Sequence, residues 1–279
     1  MKIKPSEKLK KRKADALKKV QAFAWENDYS TGILPFSMSP GAVDLGMSGV
    51  PVLDQGQYGT CVTFATTAAL DALYNVGDRI DQQCSLALNK ALGRDYWNGA
   101  YYSSEIIDPL RTYGVVKKNG CTTRYPSPYT TVSPSTYSRL KDTTFNVASA
   151  RYVYYGNITQ QNVKTALKAG HRVTIGFMMA DRYSAYDPDK SNINGFDMYI
   201  GGRYTSGGLW ACYQPSKSYS YNCGYGTSGH EVIIIGYDDA QKLFKIRNSW
   251  STRVGDSGDY YMSYEFFDAM VTDGTEIFL

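Results

Sequence analysis

The sequence predicts an α+β protein of two packed lobes, with helices in the first half of the chain and strands in the second. Between residues 55 and 142, apolar residues recur at helical spacing and the segments end in Gly, Asn and Asp. From residue 146 onward, short segments rich in β-branched and aromatic residues alternate with turns. A helical half followed by a β half favours two lobes that meet at a cleft.

The individual elements follow from the same patterns. Helices are predicted at residues 63–75, 81–92 and 104–113, before turn residues such as "NVGD" and "TYG". Strands are predicted in "ARYVYYG", "HRVTIGFM", "EVIIIGYD", "KLFKIRNSW" and "DYYMSYEFF". Residues 181–229, rich in Gly, Ser, Tyr and Asn, are too long for a simple hairpin loop and are interpreted as an insertion.

The positive charge of the chain is concentrated at its beginning. Residues 1–20 contain nine Lys or Arg and two acidic residues, while the whole chain carries a formal charge of +4. The remainder is therefore mildly acidic, which argues against a nucleic-acid partner. Helical spacing over residues 5–28 gives way to a stretch with Gly and Pro, which predicts a basic helical tail at 1–33.

The main domain is predicted at residues 34–279, with a helical lobe at about 55–145 and a β lobe at about 146–279. No stretch approaches the roughly 18 apolar residues of a membrane span. The basic start is not followed by the apolar segment of a signal peptide. We expect a monomer by default.

Cys61 stands at the head of an apolar helix, directly after "DQGQYGT". A thiol attacks a carbonyl group only as the thiolate, and the unpaired N–H groups of a helix N-terminus lower a thiol pKa. Cys61 is therefore a candidate nucleophile. The alternative is that a lone buried cysteine is inert packing.

The chain contains two histidines, and one is placed to serve a thiolate. His230 begins the predicted strand "HEVIIIGYD", and Asn248 ends the next strand of a predicted hairpin, so an amide oxygen can orient the imidazole. Trp250 can shield that bond from water, and Gln55 with the Cys61 backbone N–H can supply an oxyanion hole. The other histidine, His171, is interpreted as structural.

These segments resemble the papain-like cysteine peptidases. The nucleophile motif of that family, Gln-Gly-x-x-Gly-x-Cys, corresponds to "QGQYGTC" at residues 55–61. The histidine and asparagine segments of the family are similar to "GHEVIIIGYDD" and "IRNSWSTRVGDSGDYYMS". Further similarity is found in "VPVLDQG", "WNGAYY" and "YGVVKKNGCTTRYPSPY", so that matches in family order run from about residue 43 to 265.

The resemblance implies a helical lobe and an antiparallel β-barrel-like lobe, with Cys61 and His230 facing each other across the cleft. It implies that Cys61 is the nucleophile, His230 the general base and then acid, Asn248 the orienting residue and Gln55 the oxyanion donor. No metal or organic cofactor is implied. Further positions that the resemblance places along the substrate cleft are Gly59, Gly99, Ala100, Tyr102, Gly229, Glu231 and Trp250.

Several positions depart from the family pattern. Tyr58 replaces a cysteine that often forms a disulfide, Val62 replaces an aromatic residue, and Ala100 replaces a glycine. Glu231 stands where a small residue is usual. It either lines the pocket for the second residue upstream of the cleaved bond and favours a basic side chain there, or points to solvent or pairs with a Lys or Arg.

The other four cysteines predict two disulfides. Cys212 and Cys223 flank a short loop in the insertion, and Cys84 and Cys121 both lie in the helical lobe. Disulfides favour a secreted or otherwise extracytoplasmic protein, whose export signal is absent from this sequence. The alternative is four free thiols in a cytosolic protein.

The function predicted is that of a thiol-dependent endopeptidase acting on peptides or proteins, because the insertion 181–229 has no histidine to bind a substrate carboxyl terminus. The basic tail, residues 1–33, is either a short prosegment that packs over the cleft of a zymogen or a solvated extension. Alternatives are a catalytically idle peptide-binding module and an aminopeptidase whose cleft the insertion restricts. Two further alternatives, a transglutaminase-like or amidase-like enzyme and a tyrosine-rich adhesin, account for fewer of the candidate residues Cys61, His230, Asn248 and Gln55.

Overall fold

The structure is a computed structural model that describes residue 11 and residues 32–36, 39–94, 100–121, 132–183, 196–200, 203–212 and 220–279. The predicted tail, residues 1–33, therefore lies outside the described residues except for Lys11, Gly32 and Ile33. None of the described helices has the length and the hydropathy that spanning a membrane requires.

Six helices lie in the described residues, and the three predicted from the sequence are among them. Two of the additional helices begin with clear capping side chains: Ser133 accepts a hydrogen bond from the N–H of Thr136, and Thr159 forms a capping box with Asn162. The helices are α1 (Cys61–Tyr74), α2 (Gln82–Ala91), α3 (Ser104–Tyr113), α4 (Pro134–Leu140), α5 (Gln160–Lys168) and α6 (Tyr264–Met270).

Nine strands of the described residues form one mixed, mostly antiparallel sheet, in the order β2-β9-β3-β6-β7-β8-β5-β4, with β1 paired to β6. The α+β class predicted from the sequence is confirmed. The strands are β1 (Val43–Asp44), β2 (Arg151–Tyr155), β3 (Arg172–Tyr183), β4 (Phe196–Ile200), β5 (Arg203–Trp210), β6 (Ser220–Asp238), β7 (Leu243–Arg247), β8 (Asp259–Ser263) and β9 (Val271–Phe278).

Several strand predictions are wrong in their extent; for example, β7 ends at Arg247, one residue before Asn248. β6 begins at Ser220, so His230 lies inside a strand rather than at its start. The strand predicted in "DYYMSYEFF" ends at Ser263, whose hydroxyl accepts from the N–H of Phe266 and caps α6. The insertion 181–229 contains β4 and β5, and β5 joins the sheet next to β8. The alternating aromatic and small residues of the insertion are compatible with a pleated sheet.

The lobes have separate hydrophobic cores that share the strand β6. Val232 and Ile234 contribute to the core of the β lobe, whereas Ile233 and Ile235 contribute to the core of the helical lobe. This alternation follows from the two-residue period of a strand. The side chains of β6 next to His230 therefore reach both lobes, and α1 packs against this strand.

Two disulfides fasten the chain, in the pairs expected from the sequence. Cys84 and Cys121, with Cα atoms 5.7 Å apart, join α2 to the segment after α3. Cys212 and Cys223, with Cα atoms 5.6 Å apart, join the end of β5 to β6. Cys61 is the one cysteine without a disulfide.

The segment that leads into the main domain packs against the β lobe. Ile33 is buried and its N–H donates to the carbonyl oxygen of Tyr199 at 3.0 Å. The N–H of Leu34 donates to Gln241 Oε1 at 2.7 Å, and Phe36 lies in the β-lobe core. Residues 33–36 are thus anchored to the β lobe.

Candidate active site

Cys61 is the first residue of α1, as the apolar pattern predicts, and its side chain is buried. The helix is buried along nearly its whole length because small and apolar residues cover almost every face. Thr60 precedes it without a side-chain cap, so the first backbone N–H groups are not capped by that residue. The thiol is therefore fixed where the helical lobe meets β6.

His230 lies on β6 opposite Phe177 of β3. Its ring stacks on Trp250, with centroids 4.5 Å apart and planes at 20°, and Phe177 meets it edge-on at 5.8 Å. The ring is only 5% exposed. Two aromatic contacts and the rigid strand thus hold the imidazole in one orientation.

Asn248 determines which nitrogen of His230 carries the proton. The Asn248 Oδ1 atom lies 2.8 Å from His230 Nε2 and also accepts the backbone N–H of Ser249 at 2.8 Å. A backbone N–H can only donate, so this bond identifies Oδ1 as the oxygen and makes Nε2 the protonated nitrogen. Nδ1 is then the nitrogen that can accept a thiol proton.

Burial is the largest influence on the pKa values of the Cys61 thiol and the His230 imidazole. Burial raises the pKa of Cys61 to about 12, and the nearby Glu231 carboxylate adds to the increase, while backbone N–H groups offset part of it. Burial lowers the pKa of His230 to about 4, and the hydrogen bond to Asn248 offsets part of that change. Burial of the thiol thus opposes the lowering of its pKa that the helix N-terminus predicts.

The same pair can ionise by internal proton transfer. An imidazolium at His230 stabilises a thiolate at Cys61, and the thiolate in turn stabilises the imidazolium, so the two groups titrate as a unit. The Asn248 oxygen supports the charged imidazolium more strongly than the neutral ring. This arrangement suits a nucleophile that is activated when a substrate is in place.

Gln55 is held beside this pair by the loop that carries Asn248. Its backbone N–H donates to the carbonyl oxygen of Ser249 at 2.9 Å, and its Oε1 accepts from the Ser249 hydroxyl at 2.6 Å. Its Nε2 group donates to the carbonyl oxygen of Tyr58 at 2.7 Å. The amide is therefore fixed with its nitrogen toward the 55–61 loop.

A small cavity of about 50 Å³ joins the thiol, the imidazole and several predicted cleft residues. The predicted residues Gly59, Ala100 and Gly229 contribute to its wall. Trp250 acts on His230 instead, and Gly99 lies outside the described residues. The cavity is lined by Gly59, Cys61, Val62, Ala100, Tyr101, Gly176, Gly229, His230, Glu231 and Asp273.

The lining includes residues that sequence reasoning missed as site residues. Gly176 and Asp273 come from β3 and β9, which reach the cavity only because those strands pair with each other. No short motif marks Asp273, which lies in "VTDGTE" far along the chain from the other candidates. Tyr101 lines the wall, whereas its predicted neighbour Tyr102 is 41% exposed and not part of that lining.

In the structure, Glu231 neither points to solvent nor pairs with a described Lys or Arg. Glu231 is only 7% exposed and accepts a hydrogen bond from the Ser103 hydroxyl at 3.1 Å. Among the described residues it makes no ion pair with Lys or Arg. Burial and the neighbouring Asp273 raise its pKa to about 8.

His171 lies apart from the cavity. Its Nδ1 is 2.6 Å from Glu276 Oε1, and its ring stacks on Phe278 with centroids 5.1 Å apart. These contacts join β3 to β9 at the end of the sheet, in agreement with the structural role expected from the sequence.

Comparisons with known proteins identify relatives of this arrangement. No protein-family model matches the chain. The gamete and mating-type specific protein A of Dictyostelium discoideum is 28% identical over 218 residues, 75% of this chain and 39% of that protein. The oryzain gamma chain of Oryza sativa subsp. japonica is 26% identical over 218 residues, 76% of this chain and 51% of that protein. The chain spans about half the length of the curated relatives it matches.

Solved structures share the fold. Xylellain, a cysteine protease from Xylella fastidiosa, superposes with a TM-score of 0.59 at 19% identity and covers 100% of this chain and 91% of its own. The Carica candamarcensis cysteine protease CMS1MS2, in complex with E-64, gives a TM-score of 0.57 at 20% identity, over 86% of this chain and 98% of its own. The fold predicted from the sequence and the resemblance that suggested it are confirmed.

Proposed function

Because the chain is related to papain-like cysteine peptidases and has their fold, we propose that it is a thiol-dependent endopeptidase acting through an acyl-enzyme on Cys61. The observation that carries the proposal is the buried hydrogen bond between His230 Nε2 and Asn248 Oδ1, beside the cavity that also contains Cys61. An inert buried cysteine does not require an oriented imidazole beside it, whereas a thiol nucleophile requires one as its base.

The reaction follows from the groups in place. Nδ1 of His230 takes the thiol proton while sulfur forms a bond to the substrate carbonyl carbon, and the oxygen becomes an oxyanion. The Gln55 amide and the backbone N–H of Cys61 donate to that oxygen. The imidazolium then gives its proton to the leaving amine as the C–N bond breaks. Water, deprotonated by the same nitrogen, attacks the thioester and releases the acid and the thiol.

The endopeptidase mode is tested with an internally quenched peptide blocked at both ends. We expect cleavage at an internal bond by the wild-type chain and none by Cys61→Ala or His230→Ala. A Cys61→Ala chain that retains the wild-type rate would refute the assignment of Cys61 as the nucleophile. Cleavage restricted to peptides with a free amino terminus would replace the endopeptidase with an aminopeptidase.

Residues 1–33 are proposed to be a short inhibitory prosegment. The support is a basic helical pattern that leads into the segment anchored to the β lobe at Ile33 and Leu34. Mass spectrometry after acid incubation should show a product that begins near Leu34, with activity rising in step. Full activity of the uncut chain would contradict the proposal.

The two disulfides support a proposed secreted or extracytoplasmic location, because such bonds persist in oxidising compartments. Thiol titration of the unfolded, unreduced protein purified from its natural source should give one reactive thiol per chain, that of Cys61. Five thiols per chain would indicate a reducing compartment.

A further inference from the structure

The side-chain amide of Asn248 is hydrogen-bonded through its oxygen only. Oδ1 accepts from His230 Nε2 and from the N–H of Ser249, whereas Nδ2 is buried and makes no hydrogen bond to a described residue. The hydroxyl of Tyr260, on β8, is also buried without such a bond. A buried donor or acceptor that stays unpaired costs free energy, so each of these two groups requires a partner.

Strand pairing places Tyr260 beside Asn248. Tyr260 lies opposite Ile246 of β7, and the N–H of Asn248 donates to the carbonyl oxygen of Gly258 at 3.1 Å, which continues the pairing of β7 with β8 by two residues. Residues two apart on a strand share a face, so Asn248 and Tyr260 are diagonal neighbours on one face. Such neighbours lie about 7–8 Å apart, within reach of an aromatic side chain.

The two groups also interact electrostatically. Burial raises the pKa of the Tyr260 hydroxyl, and the Asn248 side chain opposes that increase. An amide N–H directed at a phenol oxygen has this effect, because it stabilises the phenolate more than the neutral form. Since Oδ1 is fixed toward His230 and Ser249, Nδ2 is the atom of Asn248 that faces Tyr260.

Tyr260 is held in place by a tryptophan of the insertion. Trp210, at the end of β5, stacks on the Tyr260 ring with centroids 4.5 Å apart and planes at 23°. Its ring also lies 5.1 Å from that of Phe177 and 6.2 Å from that of Trp250. These two residues are the aromatic contacts of the His230 ring. The insertion thus reaches His230 through one continuous cluster of buried rings.

Building on the proposed peptidase function, we propose that Tyr260 is a positioning residue whose hydroxyl accepts a hydrogen bond from Asn248 Nδ2 and holds Oδ1 toward His230. Trp210 holds the Tyr260 ring in turn. The bond from Nδ2 polarises the amide, so Oδ1 becomes a better acceptor when the imidazolium forms. The sequence patterns alone did not assign either Tyr260 or Trp210 to the site.

The kinetic test is a double-mutant cycle of Tyr260→Phe and Asn248→Ala, measured as kcat on a saturating blocked peptide. Tyr260→Phe should lower kcat about 2- to 5-fold with KM unchanged, because one bond in a hydrogen-bonded chain strengthens the next by about 10–30%. In the Asn248→Ala background the same substitution should have no further effect. The matched control is Tyr261→Phe, which removes a buried hydroxyl of the same strand that binds Asp256 at 3.3 Å and should leave kcat unchanged.

A spectroscopic measurement tests the contact without depending on activity. The chain contains two histidines, so the Nε2–H proton of His230 can be assigned in NMR spectra by comparison with His171→Gln. We expect this proton to exchange with solvent faster in Tyr260→Phe than in the wild-type and Tyr261→Phe chains. Trp210→Phe, which weakens the stacking on Tyr260, should also increase the exchange rate.

A general structural role of Tyr260 would give a different pattern. An equal decrease in kcat by Tyr260→Phe with and without Asn248 would overturn the proposal. So would a Tyr260→Phe chain whose kcat and Nε2–H exchange rate match those of Tyr261→Phe. A wild-type chain that cleaves no peptide would overturn the peptidase instead, and the exchange measurement would still decide whether Tyr260 holds Asn248.

Discussion

Replacing Asn248 with Ala removes the oxygen that accepts the proton of His230 Nε2 at 2.8 Å. With a neutral imidazole this bond contributes about 0.5 to 1.5 kcal/mol, whereas with an imidazolium it contributes about 1.5 to 3 kcal/mol. The imidazolium forms only as the thiol loses its proton. The difference, about 1 to 2 kcal/mol, is therefore lost from the transition state and corresponds to a decrease in kcat of about 5- to 30-fold.

The remaining contacts of the His230 ring limit how far kcat falls in Asn248→Ala. Trp250 still stacks on the imidazole at 4.5 Å, so the ring keeps much of its orientation. The Ser249 N–H also loses its acceptor, which lowers the free energy of unfolding but affects the resting and transition states alike.

The assay is kcat on a saturating fluorogenic peptide at a temperature well below the melting transition. Asn89→Ala is the matched control, because Asn89 is equally buried but lies in α2, outside the cavity. An Asn248→Ala rate within twofold of this control would refute the assigned tautomer. A loss beyond about a thousandfold would show that Asn248 does more than support the imidazolium.

Three further predictions concern other parts of the chain. Gln55→Ala should lower kcat about 10²- to 10³-fold with little change in KM, because an oxyanion donor acts only in the transition state. Burial raises the pKa of Asp71 to about 7, so the folded carboxyl keeps a proton that the unfolded chain loses near pH 4. The free energy of unfolding should then fall by up to about 4 kcal/mol from pH 4 to pH 8, and thermal melts of Asp71→Asn should lack that share of the decrease. Replacing Cys84 and Cys121 with Ala opens a loop of 37 residues and should cost about 4 kcal/mol in denaturant unfolding, whereas a loss below about 1 kcal/mol would contradict the disulfide.

The sequence predicted the catalytic candidates because each lies in a short segment with its own signature. Cys61 begins an apolar helix, and Asn248 directly follows a strand that pairs with the strand of His230. Nearby pairing in a hairpin can be inferred from sequence order alone. The fold class followed in the same way from the separation of helical and strand patterns along the chain.

Asp273 and Gly176 could not be predicted in the same way, since their position depends on the pairing of β9 with β3 over almost a hundred residues of sequence. The helix α6 was missed because its aromatic residues have high strand propensity, and only the cap at Ser263 marks its start. Burial, which a sequence does not display, raises the pKa of Cys61 and acts against the helix N-terminus.

The most direct test of the central claim is labelling with a peptidyl epoxide, with the modified residue identified by mass spectrometry and Cys61→Ala as the control. We expect one adduct per chain, on Cys61, and none on the variant. Labelling should also slow in His230→Ala, because Nδ1 no longer takes the thiol proton. The absence of an adduct on Cys61, both in the intact chain and in one lacking residues 1–33, would contradict the activated thiol and with it the peptidase.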